Sequence, residues 1–377
     1  MKIKVLVYGF TYNIGGIETF YMNYYRKLDK DKYQVDFIKV YDKIAFEDEL
    51  VANGSKMIVM PKFNKNPIKF AKEFRKILKK EKYNVVHANM LTASNIAHLR
   101  EAKKMGVPVI IAHSHNGNGD QSKLNIFMHK YNKHKIKKYA NCLLACSEVA
   151  ATWMFDKKSK YKVLNNAIDI NKLSFNKQDR DEVRHELNCE GKFVIGHVGR
   201  FNNQKNHMYL IDIFNNYAKI NDNAVLLLVG EGNLENEVRQ KVESLGISDK
   251  VMFLGKRMDT HRIYNAMDCF VIPSFFEGLP VVGIEAQTNG LPCIFSSNIT
   301  TDLKLNDNIS FISIEENDIQ KWGEQLDLIY NNNERCNDIS NVRAKYDIDE
   351  QVKELEEIYD GAWQKNGNKK NTDLSAL

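Results

Sequence analysis

The chain has 377 residues, of which 43% are hydrophobic and 27% are charged. This composition is typical of a soluble globular protein, and the length exceeds what one ordinary core requires, so we expect two domains. The six cysteines include no C-x-x-C pair, which argues against a zinc or thioredoxin-like site. We interpret them as buried reduced thiols.

The charge is distributed unevenly along the chain. Residues 1–180 carry 34 Lys and Arg against 16 Asp and Glu (+18), whereas the remainder carries 20 against 32 (−12). A basic half suggests an anionic partner, and without a recognised nucleic-acid-binding motif we expect no nucleic acid. The N-terminal apolar stretch is too short for a signal peptide and no apolar run could span a bilayer. The sequence therefore predicts a cytoplasmic protein, able to lie peripherally on the inner face of the cell membrane.

Short apolar runs alternate with amphipathic stretches of helical length. This alternation predicts parallel strands joined by helical crossovers, that is, an α/β fold with two doubly wound, Rossmann-like sheets in series and a central cleft. The predicted strands are 4–8, 35–38, 56–60, 85–87, 107–112, 142–145, 193–198, 224–229, 251–254, 269–272 and 291–295.

The same pattern predicts the domain boundaries. We expect an N-terminal domain over 1–170, a polar linker over 171–190 and a C-terminal domain over 191–349. A last helix over 350–365 and a disordered tail over 366–377 complete the prediction.

Two strand ends in the first half carry residues suited to an anion or a sugar. Gly15-Gly16 precede a helix, where the backbone can approach a phosphate, although they do not form the dinucleotide fingerprint G-x-G-x-x-G. His113 and His115 follow strand 107–112, where a histidine can bind a hydroxyl group or shuttle a proton. No third ligand of matching spacing accompanies them, which argues against a metal site.

The first two strands of the second half are followed by turns that suit a ligand. Arg200 and Lys205 lie five residues apart after strand 193–198, so both can converge on one diphosphate and stabilise the charge that develops as it leaves. Gly230-Glu231-Gly232 follow strand 224–229, where glycines allow close approach of a ligand. A plain strand-to-helix turn explains these glycines nearly as well.

The most specific motif is P-S-F-F-E-G-L-P-V-V-G-I-E over 273–285. Its carboxylates, Glu277 and Glu285, lie eight residues apart and flank the turn 278–280, whose backbone N–H groups suit a diphosphate. At these places Glu285 can accept hydrogen bonds from ribose hydroxyls and Glu277 from a sugar hydroxyl.

With these motifs the chain resembles the large family of retaining glycosyltransferases called family 4, or glycosyl transferases group 1, to which capsule and exopolysaccharide enzymes belong. The hallmark E-x7-E in a P-S-x-x-E-G-x-P context matches throughout, as do V-G-R…K and the Gly-Gly turn. Asn206 stands where the family usually has glycine. The resemblance implies a GT-B fold, with the donor bound mainly by the second domain and the acceptor by the first.

The resemblance also implies residue roles. Arg200 and Lys205 would stabilise the departing diphosphate, Glu285 would hold ribose, and Glu277 would orient the donor sugar. His115 joins Glu277, Arg200 and Lys205 as a catalytic candidate. The other implied donor contacts are Gly15, Gly16, Glu231, Gly278, Leu279 and Pro280.

The implied reaction moves a hexosyl or N-acetylhexosaminyl group, with retention, from a nucleotide sugar (UDP by default) to a glycan or polyprenyl-linked acceptor in cell-surface polysaccharide synthesis. We expect no cofactor and no metal, because the Asp-x-Asp sequences starting at Asp29, Asp179 and Asp347 follow no strand and because Arg200 and Lys205 can hold the diphosphate. Two alternatives stay open. A nucleotide-sugar 2-epimerase would need its own acid–base residues, and a non-catalytic partner subunit would be expected to have lost a charged motif residue.

Two basic stretches bear on the membrane. Residues 62–82 contain nine Lys and Arg beside an apolar stripe, and residues 130–138 add a second basic cluster. We interpret the stripe as packing on the sheet and the lysines as a positive field that attracts an anionic membrane surface.

Overall fold

Two parallel β-sheets organise the chain. The computed structural model describes residues 2–115, 122–332 and 334–361, and the chain divides into two compact units. Unit 1 runs to Ala167 and resumes at Ile348, whereas unit 2 runs from Ile168 to Asp347. The Rossmann-like, doubly wound architecture predicted for both halves is confirmed.

The described part of unit 1 contains a seven-stranded sheet formed by β1 (Ile3–Tyr8), β2 (Tyr33–Lys39), β3 (Met57–Val59), β4 (Val85–Met90), β5 (Val109–Ser114), β6 (Cys142–Ala145) and β7 (Lys162–Val163). The strand order is β3-β2-β1-β4-β5-β6-β7. The helices up to Ala167 are α1 (Gly16–Lys27), α2 (Glu47–Ala52), α3 (Pro67–Glu81), α4 (Ala97–Lys104), α5 (Lys123–Lys133), α6 (Ile136–Tyr139) and α7 (Glu148–Met154).

Both faces of this sheet are buried. Val5 and Val7 of β1 pack in one apolar cluster with α1, whereas Leu6 packs in a second cluster with α3. Strands covered on both faces read as continuous apolar runs, which is the pattern in the sequence.

The described part of unit 2 contains a six-stranded parallel sheet formed by β8 (Phe193–Val198), β9 (Ala224–Val229), β10 (Val251–Phe253), β11 (Cys269–Ile272), β12 (Cys293–Ser296) and β13 (Ile309–Ile312), in the order β10-β9-β8-β11-β12-β13. Its helices are α8 (Ile170–Leu173), α9 (Lys177–Glu186), α10 (His207–Ala218), α11 (Glu235–Ser244), α12 (Thr260–Ala266), α13 (Val281–Thr288), α14 (Ile319–Asn332) and α15 (Ser340–Tyr346). Short 3₁₀ turns lie at Asn203–Lys205, Ser248–Lys250, Thr301–Leu303 and Glu316–Asp318. Strands β7 and β13 were not predicted, because they are short and mostly half-exposed.

The segment 171–190 differs from its prediction as a linker. It contains most of α8 and all of α9, and it belongs to unit 2. Arg180 and Arg184 of α9 bind the carboxylate of Asp268, which is buried just before β11. The charged residues led to the prediction of a solvated linker, whereas in the fold the two arginines pair with the buried Asp268.

The C-terminal helix α16 (Ile348–Tyr359) is part of the core of unit 1. The hydroxyl of its Tyr359 lies 2.8 Å from the hydroxyl of Tyr21 and 2.8 Å from Nδ1 of His87. The helix ends before the expected residue 365 because Gly361, with a φ of 76°, provides the left-handed residue that commonly terminates a helix. The tail expected at 366–377 lies outside the described residues.

The arginine pair on Asp268 gives a stability prediction. We expect Asp268→Asn to lower the free energy of unfolding by about 3 kcal/mol, because it leaves buried guanidinium groups without a counter-charge. Urea unfolding followed by circular dichroism measures the change. The control is Asp222→Asn, since Asp222 pairs with Lys250 but is 98% exposed and should leave the urea midpoint unchanged. Equal effects of the two substitutions would contradict the prediction.

Candidate active site

A crevice opens at the carboxyl edge of the unit 2 sheet. Strand β8 pairs with β9 along its whole length but with β11 only at Ile195 and Gly196. The helix after β8, α10, packs in one apolar cluster, and the helix after β11, α13, packs in another. The chain therefore leaves these neighbouring strands toward opposite faces of the sheet, which is where ligands bind in open α/β sheets.

Glu277 and Lys205 meet in this crevice. Lys205 Nζ lies 2.7 Å from Glu277 Oε1, and the two side chains are only 15% and 9% exposed. The hydroxyl of Ser274 donates to Glu277 Oε1 at 2.9 Å, and Gln204 Nε2 donates to Oε2 at 3.2 Å. The structure thus pairs two residues that the sequence assigns to different parts of the donor. Ser274 and Gln204 are additional candidate site residues. Ser274 belongs to the P-S-x-x-E motif, which predicted no role for it, and Gln204 precedes Lys205 in the same loop.

The environment of Arg200 differs from that of Lys205. Its side chain is exposed, and within residues 2–115, 122–332 and 334–361 it forms no ion pair or side-chain hydrogen bond. Asn206 ends the same loop in the left-handed region, with a φ of 55°, and its side chain donates to the carbonyl oxygen of Pro273. Asparagine tolerates this conformation better than most residues, which explains why it can replace the usual glycine. The departure leaves the two basic groups in place.

The turn before α13 offers backbone donors. Pro280 is buried and caps the helix without an N–H group of its own, so the free amides of this helix end come from its neighbours. Gly278 is exposed, and a Cβ there would meet no atom within 4 Å. Leu279 is half-buried. The geometry leaves open space above Gly278 for an anion at the helix N-terminus.

Glu285 lies in α13, partly buried, and accepts a hydrogen bond of 2.8 Å from the hydroxyl of Tyr264. Burial raises the pKa of the Glu285 carboxyl, and the Tyr264 hydroxyl opposes that shift. Tyr264 belongs to α12 and carried no motif signal, because the contact joins residues 21 positions apart.

The glycines around Glu231 support the loop that carries Arg200. A Cβ on Gly230 would lie 2.0 Å from the carbonyl oxygen of Gly199, and a Cβ on Gly232 would lie 2.2 Å from that of Phe201. The side chain of Glu231 is exposed, and its carbonyl oxygen accepts the N–H of Phe201 at 3.1 Å. Close backbone packing therefore accounts for both glycines.

In unit 1, a carboxylate for which the sequence predicted no role holds the Gly-Gly turn in place. Glu18 accepts the N–H of Gly15 at 3.2 Å and both the N–H and the hydroxyl of Thr11. The backbone N–H of Gly15 is therefore already bound to Glu18. Gly16 begins α1, and a Cβ there would meet no atom within 4 Å.

The two histidines after β5 have different environments. His113 is fully buried, with Nδ1 3.0 Å from Nε2 of His87, whereas His115 is half-buried and its Nε2 lies 2.8 Å from Oδ1 of Asn89. Burial lowers the pKa of His115 to about 3, so its ring is uncharged at neutral pH. His115 is the histidine of the two with surface to offer a ligand. Within the described residues, no group of three or more His, Cys, Asp or Glu is arranged to hold a metal ion.

The raised pKa of Glu285 predicts a pH-dependent stability. A carboxyl whose folded-state pKa lies above its unfolded-state value stabilises the fold at low pH, and this contribution is lost as the pH rises through the folded-state pKa. We therefore expect Glu285→Gln to raise the thermal unfolding midpoint at pH 7.5 and to raise it much less at pH 4. The control is Glu315→Gln at an exposed position. A gain that is the same at both pH values would contradict this assignment.

Two family models match the chain. The model described as Glycosyltransferase Family 4 matches residues 14–172, and the model described as Glycosyl transferases group 1 matches residues 179–345.

Two relatives and one solved structure show the extent of similarity. A putative glycosyltransferase, EpsF, of Bacillus subtilis is 33% identical over 303 residues, which are 76% of this chain and 77% of the relative. The UDP-Gal:alpha-D-GlcNAc-diphosphoundecaprenol alpha-1,3-galactosyltransferase of Escherichia coli is 29% identical over 259 residues, or 66% of each chain. The structure of Anabaena Alr3699/HepE in complex with UDP has a TM-score of 0.76 at 20% identity, covering 96% of this chain and 100% of that one.

Proposed function

The chain belongs to glycosyltransferase family 4 and has the GT-B fold, and we propose that it transfers a sugar from a nucleotide sugar, by default a UDP-sugar, to a saccharide acceptor with retention at the anomeric carbon. The observation that carries this proposal is the crevice of unit 2, where Lys205 and Glu277 meet beneath an open helix N-terminus. The crevice offers cations for a diphosphate and carboxylates for hydroxyl groups.

Donor binding rearranges the Lys205–Glu277 pair. Lys205 and the exposed Arg200 bind the diphosphate, together with amides of the turn at Gly278 and Leu279. Glu277, released from Lys205, accepts a hydroxyl of the donor sugar. Glu285 accepts ribose hydroxyls. In unit 1, Gly16 and His115 stay the predicted ligand contacts.

The chemical step takes place on one face of the sugar. The bond between the anomeric carbon and the diphosphate oxygen breaks as the acceptor oxygen bonds to that carbon, and the acceptor proton passes to the departing diphosphate. Arg200 and Lys205 stabilise the charge that develops on the diphosphate, so the reaction needs no metal ion.

We propose that the acceptor is a lipid-linked saccharide. The E. coli relative is by name an enzyme that acts on a diphosphoundecaprenol-linked sugar. Unit 1 has a cavity of about 510 Å³ at the carboxyl ends of β1 to β4, a volume that suits a small ligand. Aromatic faces and amide groups of the kind that bind sugars line it, together with a lysine, and these residues are Tyr8, Tyr41, Phe63, Asn64, Asn95 and Lys62.

The basic half supports a role at an anionic membrane surface. The apolar stripe of α3 packs in the core of unit 1, since Phe70, Phe74 and Leu78 are buried. Helix α5 instead exposes Leu124, Phe127 and Tyr131, and residues 122–147 contain six lysines and no acidic residue. Among the described helices, none is both long and apolar enough to cross a membrane. We propose peripheral binding through α5, in the synthesis of a cell-surface polysaccharide.

The donor site is tested with a panel of UDP-, GDP- and ADP-sugars, with and without EDTA. We expect one nucleotide to stabilise the protein thermally, EDTA to have no effect, and Glu285→Ala to abolish the stabilisation. Lys205→Met should lower the rate constant of donor hydrolysis by about 10²- to 10³-fold, because it removes a charge that stabilises the leaving group. Arg239→Met, which removes a cation from α11, is the control. Absence of nucleotide binding would favour a non-catalytic subunit.

The membrane surface is tested by sedimentation with vesicles of phosphatidylglycerol and phosphatidylcholine. We expect the double variant Leu124→Ser/Phe127→Ser to bind at least about tenfold more weakly than the unmodified chain, because two exposed apolar side chains no longer enter the interface. Ile220→Ser, which removes a 67% exposed apolar side chain from unit 2, should bind normally. Binding that is equal on vesicles of phosphatidylcholine alone would contradict the electrostatic part of the proposal.

A further inference from the structure

His197 lies where β8 leaves β11. The last residue of β8 paired with β11 is Gly196, and His197 follows it directly. The ring of His197 is fully buried, and its Nδ1 lies 2.7 Å from the carbonyl oxygen of Val271 in β11. Because a carbonyl oxygen only accepts, Nδ1 carries the proton and the tautomer of the ring is determined. A side chain thus joins the two strands where their backbone pairing ends.

The other nitrogen of the ring faces the loop that carries Arg200 and Lys205. Among the residues that the structure describes, His197 Nε2 has no hydrogen-bond partner. A Cβ built on Gly199 would lie 2.7 Å from this nitrogen and 3.3 Å from Cδ of Lys205. The ring therefore lies directly beneath Gly199, beside the aliphatic part of Lys205. Any residue larger than glycine at position 199 would displace the histidine.

The ring brings no charge to this position. Burial lowers the pKa of His197 well below its usual range, and the neighbouring His207 and Lys205 act in the same direction. His207 stands edge-on to His197 at 4.7 Å and stacks on Phe201 at 4.1 Å. Because the ring is uncharged, it does not repel the ammonium group of Lys205.

We propose that His197 is a positioning residue for donor transfer, setting the separation between the loop that carries Arg200 and Lys205 and the loop that carries Glu277. This inference rests on the proposed function. Val271 lies two residues before Pro273, where the Glu277 loop begins, and His197 lies two residues before Gly199 in the other loop. One hydrogen bond thus connects the bases of both loops, and small misplacements of groups that act on a transition state are costly.

Two substitutions separate the hydrogen bond from the volume of the ring. Asparagine places a donor nitrogen at the same number of bonds from the backbone as histidine Nδ1, so His197→Asn retains the bond to Val271, whereas His197→Leu removes it. The matched control is His207→Phe, since both nitrogens of the buried His207 lack partners within the described part of the chain and its ring contacts other rings. Donor hydrolysis and nucleotide affinity are measured at a temperature where circular dichroism shows every variant folded.

We expect His197→Leu to lower the rate constant of donor hydrolysis by about 10- to 100-fold, with a smaller change in nucleotide affinity. His197→Asn should restore the rate constant to within about threefold of the unmodified chain, and His207→Phe should leave it unchanged. If His197→Leu hydrolyses donor at the normal rate, or if His197→Asn is as impaired as His197→Leu, the inference is overturned.

Amide hydrogen exchange without nucleotide gives a reading that does not depend on activity. We expect His197→Leu to speed exchange in both loops, 199–205 and 274–277, and His207→Phe to leave the 274–277 loop unchanged. Unchanged exchange in both loops of His197→Leu would overturn the positioning role. A chain that binds no nucleotide but shows faster exchange in His197→Leu would instead overturn the proposed function alone.

Discussion

The separation of β8 from β11 is the constraint on which the rest of unit 2 depends. Every backbone N–H and C=O group inside a sheet requires a partner, so two neighbouring strands can part only where other groups replace the ladder. Here β8 keeps its pairing to β9, and the ring of His197 binds Val271 on the other side. The parted ends hold the loops with Arg200, Lys205 and Glu277, and the packing of the glycines at 230 and 232 keeps the first loop close to the sheet.

One pair of charges in this crevice is matched within the protein before any donor binds. Lys205 and Glu277 neutralise each other in a largely buried position, and Ser274 and Gln204 donate two further hydrogen bonds to the carboxylate. A diphosphate and a sugar hydroxyl can replace this one ion pair by two separate interactions. The desolvation cost of both side chains is therefore met in folding, before any ligand binds. The second contact made before any ligand binds is the hydrogen bond from the neutral hydroxyl of Tyr264 to the carboxyl group of Glu285.

The motifs predicted which residues share one edge of the sheet, because each motif joins residues that are close in sequence. Arg200 and Lys205 share one turn, and three residues join Glu277 to the helix of Glu285, so strand, turn and helix place them on one edge. The partners Tyr264 and Gln204, and the carboxylate of Glu18 that holds Gly15, carried no such signal, and the motif predicted no role for Ser274. The predicted linker was wrong for a related reason: its arginines are charged, and only their burial against Asp268 shows that they belong to the core.

The sequence by itself determined the class of fold, the strands with long apolar runs and the family, because apolar runs, helical periodicity and short motifs depend only on neighbours along the chain. The tertiary structure decided which distant groups meet. It brought Lys205 onto Glu277, His197 onto Val271, and Tyr359 of the C-terminal helix onto Tyr21 in the core of unit 1. These contacts join residues 72, 74 and 338 positions apart, and their energies depend on burial, which no local pattern encodes.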